Sequence, residues 1–407
     1  MLLGPGGSGV SVLAAAAALH DSERPGDRTA HSPVGVQLGT EGGTLLVSLD
    51  SRSYLPERLG VMRLPGQPVP VTANVDLLQL DSLEILEAAW RDFTAALTAV
   101  GGVKQVLPLV GTLASIAPGE LTSMPGAQEF LVLRQIRDAA TAGRWQRVVV
   151  DLSGVGDPYA VLRSPMVLSA ALERLWPRNA RLAEASEKPT VAQLSAALEG
   201  IDRDCHDLTE LLTDPHGVAA HLVVDAGDRG VRAAADHLAI IDLMGIPLRS
   251  VLVNAGVGGP GSVDDATAAV VNLLHNDESV TVTAIPRAAK GLDRLSRINR
   301  IAVELPKPAG RPRGSGALTV AHVSGEGLDS IFEMTWKQGL PDPNRLELGR
   351  SGDELLVTVS GFRYPVTLPS VLRRCVVTGA DWHDGTLILR FVPDASVWPQ
   401  KSGKTGR

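Results

Sequence analysis

Gly4-Pro5-Gly6-Gly7-Ser8-Gly9-Val10-Ser11 follows the apolar start Met1-Leu2-Leu3 and leads directly into a helix-like stretch over 10–20. A loop that wraps a phosphate has the pattern Gly-x-x-x-x-Gly-Lys-Ser/Thr between a strand and a helix. Its glycines let successive backbone N–H groups turn toward the anion, and the helix N-terminus adds a favourable dipole. Gly4, Gly9 and Ser11 occupy their places, while Val10 stands where the lysine belongs. Taken alone, this partial match fits a plain glycine-rich turn equally well. The segment 1–20 also carries the apolar run and A-x-A pattern of a secretory leader. No Lys or Arg precedes Arg24, however, and glycines interrupt the run, so the expectation is a chain that is not secreted.

Outward from this loop, short apolar runs alternate with amphipathic stretches. Strands are expected at 44–50, 147–151, 220–225, 248–254 and 280–285. Helices are expected at 10–20, 83–97, 128–142, 161–175, 191–212, 230–244 and 264–275. Short continuous strands separated by helices imply an α/β fold, a doubly wound and mainly parallel sheet covered on both faces. The interrupted apolar region 94–126 is expected to be a helical insertion within the 1–304 domain, and it is long enough to line a client groove or simply to pack. Residues 305–329 have the Pro, Gly and Ser content of a linker. Beyond it the hydrophobic period falls from 3.6 to 2. Phe332, Met334 and Trp336 alternate, as do Leu355, Val357 and Val359, and then Leu387, Leu389 and Phe391. A small antiparallel β-sandwich over 330–395 is expected, with a loose tail over 396–407.

Composition narrows the function classes. Net charge is −7 without a basic run, which argues against a nucleic-acid partner. No apolar run approaches the ~20 residues of a membrane-spanning helix. Cys205 and Cys375, the two cysteines, form no CxxC pair, so neither a disulfide framework nor a zinc site is expected. A reduced, cytoplasmic setting fits that usage. The run Cys205-His206-Asp207 lacks the spacing that puts side chains on one helix face, and it is read as a solvated helical segment.

Several motifs, in order, resemble the arsenite-pump and tail-anchored-protein-targeting family of dimeric P-loop ATPases. That family's loop is Gly-Lys-Gly-Gly-Val-Gly-Lys-Thr. Gly4, Gly6, Gly7, Gly9 and Ser11 match it, and Pro5 and Val10 replace both lysines. Val47-Ser48-Leu49-Asp50-Ser51-Arg52-Ser53-Tyr54-Leu55 is similar to Ser-Thr-Asp-Pro-Ala-His-Ser-Leu and keeps Ser48, Asp50 and Leu55. Pro125, Gly126 and Glu129 match a helix start. The stretch 148–165 keeps Asp151 and Gly156 of a Val-Val-Val-Asp-Thr-Ala-Pro-Thr-Gly-His segment, and Asn254 closes a later strand. The C-terminal stretch resembles the small-heat-shock-like β-domain fused to bacterial members.

The resemblance implies the following expectations. Asp50 would position the attacking water and Asp151 would sit near Mg²⁺. Gly4, Gly6, Gly7, Gly9 and Ser11 would hold ATP phosphates, Ser11 would offer a Mg²⁺ ligand, and Asn254 would contact adenine. ATP and Mg²⁺ are the implied cofactors, held weakly without the lysines. The family's arsenite-binding and zinc-binding cysteines have no counterpart here. The chain would form a homodimer, or a heterodimer with an intact paralogue, and would reach a membrane surface only through a partner. Two readings stay open: a hydrolytically impaired ATPase subunit completed by a paralogue, and a non-catalytic chaperone-like module for an apolar client.

Overall fold

The computed structural model describes residues 1–22, 43–99, 115–256, 262–274, 277–309, 318–337, 345–383 and 385–398. Eight strands build the first sheet: β1 (Leu2–Leu3), β2 (Gly43–Ser48), β3 (Val69–Thr72), β4 (Val75–Gln79), β5 (Trp145–Asp151), β6 (Ala220–Asp225), β7 (Leu248–Asn254) and β8 (Thr281–Ile285). Their order is β3-β4-β2-β5-β1-β6-β7-β8, parallel throughout except for the edge strand β3. Short as it is, β1 lies between β5 and β6, so the loop after it emerges near the middle of the sheet's carboxyl edge. Ligands of open α/β sheets bind at that edge.

The helices are α1 (Val10–Ser22), α2 (Leu55–Leu59), α3 (Ser82–Ala99), α4 (Ala127–Thr141), α5 (Pro158–Leu175), α6 (Arg178–Glu187), α7 (Pro189–Thr213), α8 (Asp228–Leu243), α9 (Val263–Leu273) and α10 (Leu295–Ile298). Alternate residues of each strand serve opposite faces. Leu2, Leu46, Leu77, Val149, Val223 and Leu252 pack with α1 and α2. Leu3, Leu45, Val47, Leu222, Val224, Val251 and Val253 pack beneath α4, α5 and α8. Burial on both faces explains the unbroken apolar strands, and each fully buried Leu or Val contributes roughly 1.5–3 kcal/mol. Ala14 to Ala18 are wholly buried, which lets α1 lie close against its surroundings.

Helix starts follow local chemistry. The Glu129 carboxylate accepts the Gly126 N–H at 2.6 Å, and Gly126 has a φ of 84° that suits glycine. Asp157 caps α5 by accepting the Tyr159 N–H at 2.9 Å, with Pro158 at the first helical position.

A second unit forms a sandwich. One sheet has the order β14-β15-β10-β9 and the other β11-β12-β13, built from β9 (Thr319–Ser324), β10 (Ile331–Lys337), β11 (Leu346–Ser351), β12 (Glu354–Val359), β13 (Phe362–Thr367), β14 (Cys375–His383) and β15 (Thr386–Pro393). Met334, Trp336, Leu387, Leu389 and Phe391 are buried from the first sheet, and Leu355, Val357 and Val359 from the second. These are the alternating positions that marked the change of period.

The sandwich is docked on the first unit. The Phe362 ring meets Tyr159 edge-on at 5.7 Å, and the Arg163 guanidinium lies 4.9 Å over it. Asp236 accepts from both Arg345 and Ser360 Oγ, and Arg174 pairs with Glu354 at 2.8 Å.

Other segments are described in part. Within the 305–329 stretch, Leu305 is buried on the α1 face and β9 pairs with β10, while 310–317 lie outside the described residues. Of the 94–126 insertion, 100–114 lie outside the described residues, and Trp90 Nε1 ties Ile116 O to α3 at 2.9 Å. The tail from 399 onward is also outside them, but Trp398 packs 5.9 Å from the Phe332 ring. Among the described residues no helix is long and apolar enough to cross a membrane.

Candidate functional site

The glycine loop keeps the backbone geometry its sequence calls for. Gly7 and Gly9 have φ of 85° and 94°, conformations that side chains disfavour. Ser8 N donates to Pro5 O at 3.1 Å and closes a tight turn. A Cβ on Gly4 would lie 2.1 Å from Val223 O, so only glycine fits against β6. A Cβ on Gly6 or Gly7 would meet nothing within 4 Å, so these two positions face open space. The Asn254 amide holds the loop from the side, with Nδ2 donating to Ser8 O at 2.8 Å. Its Oδ1 accepts the Gly256 N–H at 2.9 Å.

The position of the absent lysine is filled by packing. Val10 is 3% exposed and belongs to the apolar cluster of α1. One residue on, Ser11 Oγ is hydrogen-bonded to Ser153 Oγ at 2.5 Å. Ser153 N donates to Asp151 Oδ1 at 3.0 Å, so the three residues form a connected group at the end of β5. Asp151 is 0% exposed, and burial pushes its carboxyl above the usual carboxylate range against the lowering effect of its Ser153 and Ser11 hydrogen bonds. The nearby Asp50 charge pushes the same way. Asp50 is packed against Gly154, where a Cβ would lie 2.4 Å from its own Cβ, and the φ of 78° at Gly154 favours glycine.

These residues end a polar row. Gln79 of β4, Ser48 of β2 and Asp151 of β5 are register partners. They continue the set that faces α1 through Leu77, Leu46 and Val149. Each retains a buried oxygen without a hydrogen-bond partner among the described residues: Gln79 Oε1, Ser48 Oγ and Asp151 Oδ2. Ser8 Oγ in the loop is a fourth.

The structure therefore brings Gly4, Gly6, Gly7, Gly9, Ser11, Asp50, Asp151 and Asn254 to one end of the sheet. Sequence reasoning missed Ser8, Ser48's orphaned hydroxyl, Gln79 and the Ser11–Ser153 contact. Ser8 lay within the quoted loop, whereas Gln79 ends a strand that had gone unread. The Cys205 stretch differs as well: Cys205 is buried in the core, while His206 is exposed. Among the described residues no three His, Cys, Asp or Glu side chains form a metal-holding group.

A strand, a glycine loop with cradle geometry and a helix at the centre of a parallel sheet, with aspartates at neighbouring strand ends, define a P-loop NTPase-like protein. The chain belongs to the anion-transporting ATPase family, whose sequence model matches residues 26–288, and the model of the HSP20-like domain found in ArsA matches 334–391. The first match begins downstream of the loop at 4–11. Protein Rv2184c of Mycobacterium tuberculosis is 32% identical over 98% of this chain and 97% of its own length. Protein SCO2128 of Streptomyces coelicolor is 30% identical over 98% of each chain. A provisional arsenical pump-driving ATPase of Chlorobaculum tepidum is 23% identical over 62% of this chain and 59% of its own.

Proposed function

We propose that this chain is a hydrolytically impaired nucleotide-binding subunit of the ArsA-like ATPase family, working beside an intact paralogue in ATP-dependent ion transport or client handling. The observation that carries this reading is Val10, buried in apolar packing at one of the two lysine positions of a loop that keeps its glycines. Phosphate binding by the backbone is supported by the open space at Gly6 and Gly7 and by Ser8 Oγ, which has no partner among the described residues. The residues that would hold the triphosphate are Gly4, Gly6, Gly7 and Gly9 through their N–H groups. Ser11 would offer Mg²⁺ a lone pair of the hydroxyl that is hydrogen-bonded to Ser153.

What the loop lacks is positive charge. Phosphoryl transfer spreads negative charge over the transferred group, and losing one trans-acting cation costs ~10³–10⁵ in rate. Nucleotide binding therefore survives in weakened form, and turnover requires a cation from a partner chain. The expected outcome is measurable ATP binding but no appreciable Mg²⁺-dependent phosphate release by the purified chain. Adding a paralogue that carries the complete Gly-Lys-Gly-Gly-x-Gly-Lys-Thr loop should restore release. Turnover of ~1 s⁻¹ or more by the chain alone, abolished by Asp50→Asn, overturns the reading.

A further inference from the structure

We propose that Arg52 supplies the cation of this site, clasping the outer phosphate of a bound polyphosphate whose other phosphates lie in the glycine cradle. The proposal builds on the nucleotide-binding reading and names the side chain that makes such binding selective for a triphosphate.

Arg52 lies in the short connection between β2 and α2, two residues beyond Asp50. Sheet order puts β2 two strands from β1, with β5 between them. Neighbouring strands are about 4.8 Å apart, so the two carboxyl ends are separated by roughly 10 Å. An arginine and a phosphate chain reaching toward each other span that interval. The connection also belongs to the correct face. Leu55 and Leu59, which follow it, pack in the cluster that contains α1 and Val10.

The backbone around Arg52 is held from several directions. Its N–H donates to Asp50 Oδ1 at 2.9 Å. Arg63 reaches across and donates to the carbonyls on both sides of it, Ser51 O and, at 2.6 Å, Ser53 O. Arg63 is itself neutralised by Glu57 at 2.9 Å. Gln79 Nε2 donates to Asp50 O at 3.4 Å, adding a tie from the β4 side. One guanidinium is thus spent on fixing the connection. Arg52 is exposed, with no side-chain partner among the described residues.

A fixed backbone that presents an unpaired guanidinium is suited to an anion, because little ordering entropy remains to be lost on binding. The opposing wall shows the same incompleteness. Ser8 is 2% exposed, its Oγ has no partner among the described residues, and that oxygen lies 3.0 Å from where a Cβ on Gly4 would sit. A planar guanidinium offers two parallel N–H donors to phosphate oxygens. This contact holds the outer phosphate from one side only, while the two lysine positions of the loop stay uncharged, which accords with binding that outlasts hydrolysis.

Calorimetric titration of the full chain with ATP, ADP and AMP tests the assignment, using wild type, Arg52→Ala and Arg52→Lys. Arg52→Ala should weaken ATP binding about tenfold or more and reduce the preference for ATP over AMP, and Arg52→Lys should recover part of both. Because Arg52 is exposed, the variants should melt with wild type, and this is checked by circular dichroism. Wild-type binding of ATP with Arg52→Ala binding equally well overturns the assignment alone. Absence of binding to any of the three nucleotides by folded wild type overturns the cradle reading, and this inference with it.

Discussion

Val10 shows how one substitution alters a site without disturbing its frame. A lysine there would place its stem where the valine side chain now packs and its ammonium at the loop mouth. Pro5, the other lysine position, offers its carbonyl to Ser8 N and leaves the turn intact. The double change Pro5→Lys and Val10→Lys should raise ATP affinity about tenfold or more, equivalent to ~1.4 kcal/mol. The ligand-free variant should melt lower than wild type, because the longer stem overpacks the Val10 site and two like charges are brought to one short loop. Calorimetry and thermal melts read the two effects separately. A folded double variant that binds ATP no better than wild type would remove the basis for calling residues 4–11 a phosphate loop. At this scale the loop glycines were legible in the sequence, since each glycine stands for a backbone state. The orphaned oxygens of Ser8, Ser48 and Gln79 were not, because a missing partner is a property of three-dimensional neighbours.

At the scale of elements, the amphipathic helices and buried strands were readable because their periods follow directly from which face is covered. The hairpin of β3 and β4 was not read, since Pro70 interrupts it and an edge strand shows little alternation. Reading β4 would have placed Gln79 beside Ser48 and Asp151, and so completed the polar row. That row has a pH consequence. Asp151 is buried with its carboxyl raised above the 3.8 of an unperturbed aspartate. Between those two values the folded chain holds a proton that the unfolded chain has released. Its contribution to stability is therefore full below 3.8 and is lost as pH rises through the folded value. Asp151→Asn removes the ionisable group and should melt higher than wild type at neutral pH, by ~1–3 °C for a chain of this size. The gap should shrink on acidification toward pH 4. A gap that stays constant across that range would show that Asp151 ionises in the fold without penalty.

At the scale of the whole molecule, the sequence announced a second unit through its change of period but gave no sign of where that unit rests. The contact is made by scattered residues, Tyr159, Arg163 and Asp236 on one side and Arg345, Ser360 and Phe362 on the other, with no periodic pattern to read. Tyr159 lies at the start of α5, six residues after Ser153, so the docked sandwich touches the helix that leaves the candidate site. Within the contact, the Tyr159 hydroxyl is hydrogen-bonded to His237 Nδ1 at 2.5 Å. The exposed Arg174–Glu354 pair contributes about 0–1 kcal/mol. Phe362, buried beneath an arginine and beside an aromatic ring, contributes more, since removing a buried Phe side chain costs ~3–5 kcal/mol shared between sandwich and interface. A protease should cut first between Leu305 and Leu328, where Pro, Gly and Ser concentrate, and docking predicts that the two fragments stay together afterward. On size-exclusion chromatography the nicked wild type should elute as the uncut chain does. Asp236→Ala, which removes the shared acceptor of Arg345 and Ser360, should loosen the pair, and Arg163→Ala combined with it should separate the fragments. Wild-type fragments that elute apart directly after cleavage would mean that the sandwich is merely tethered.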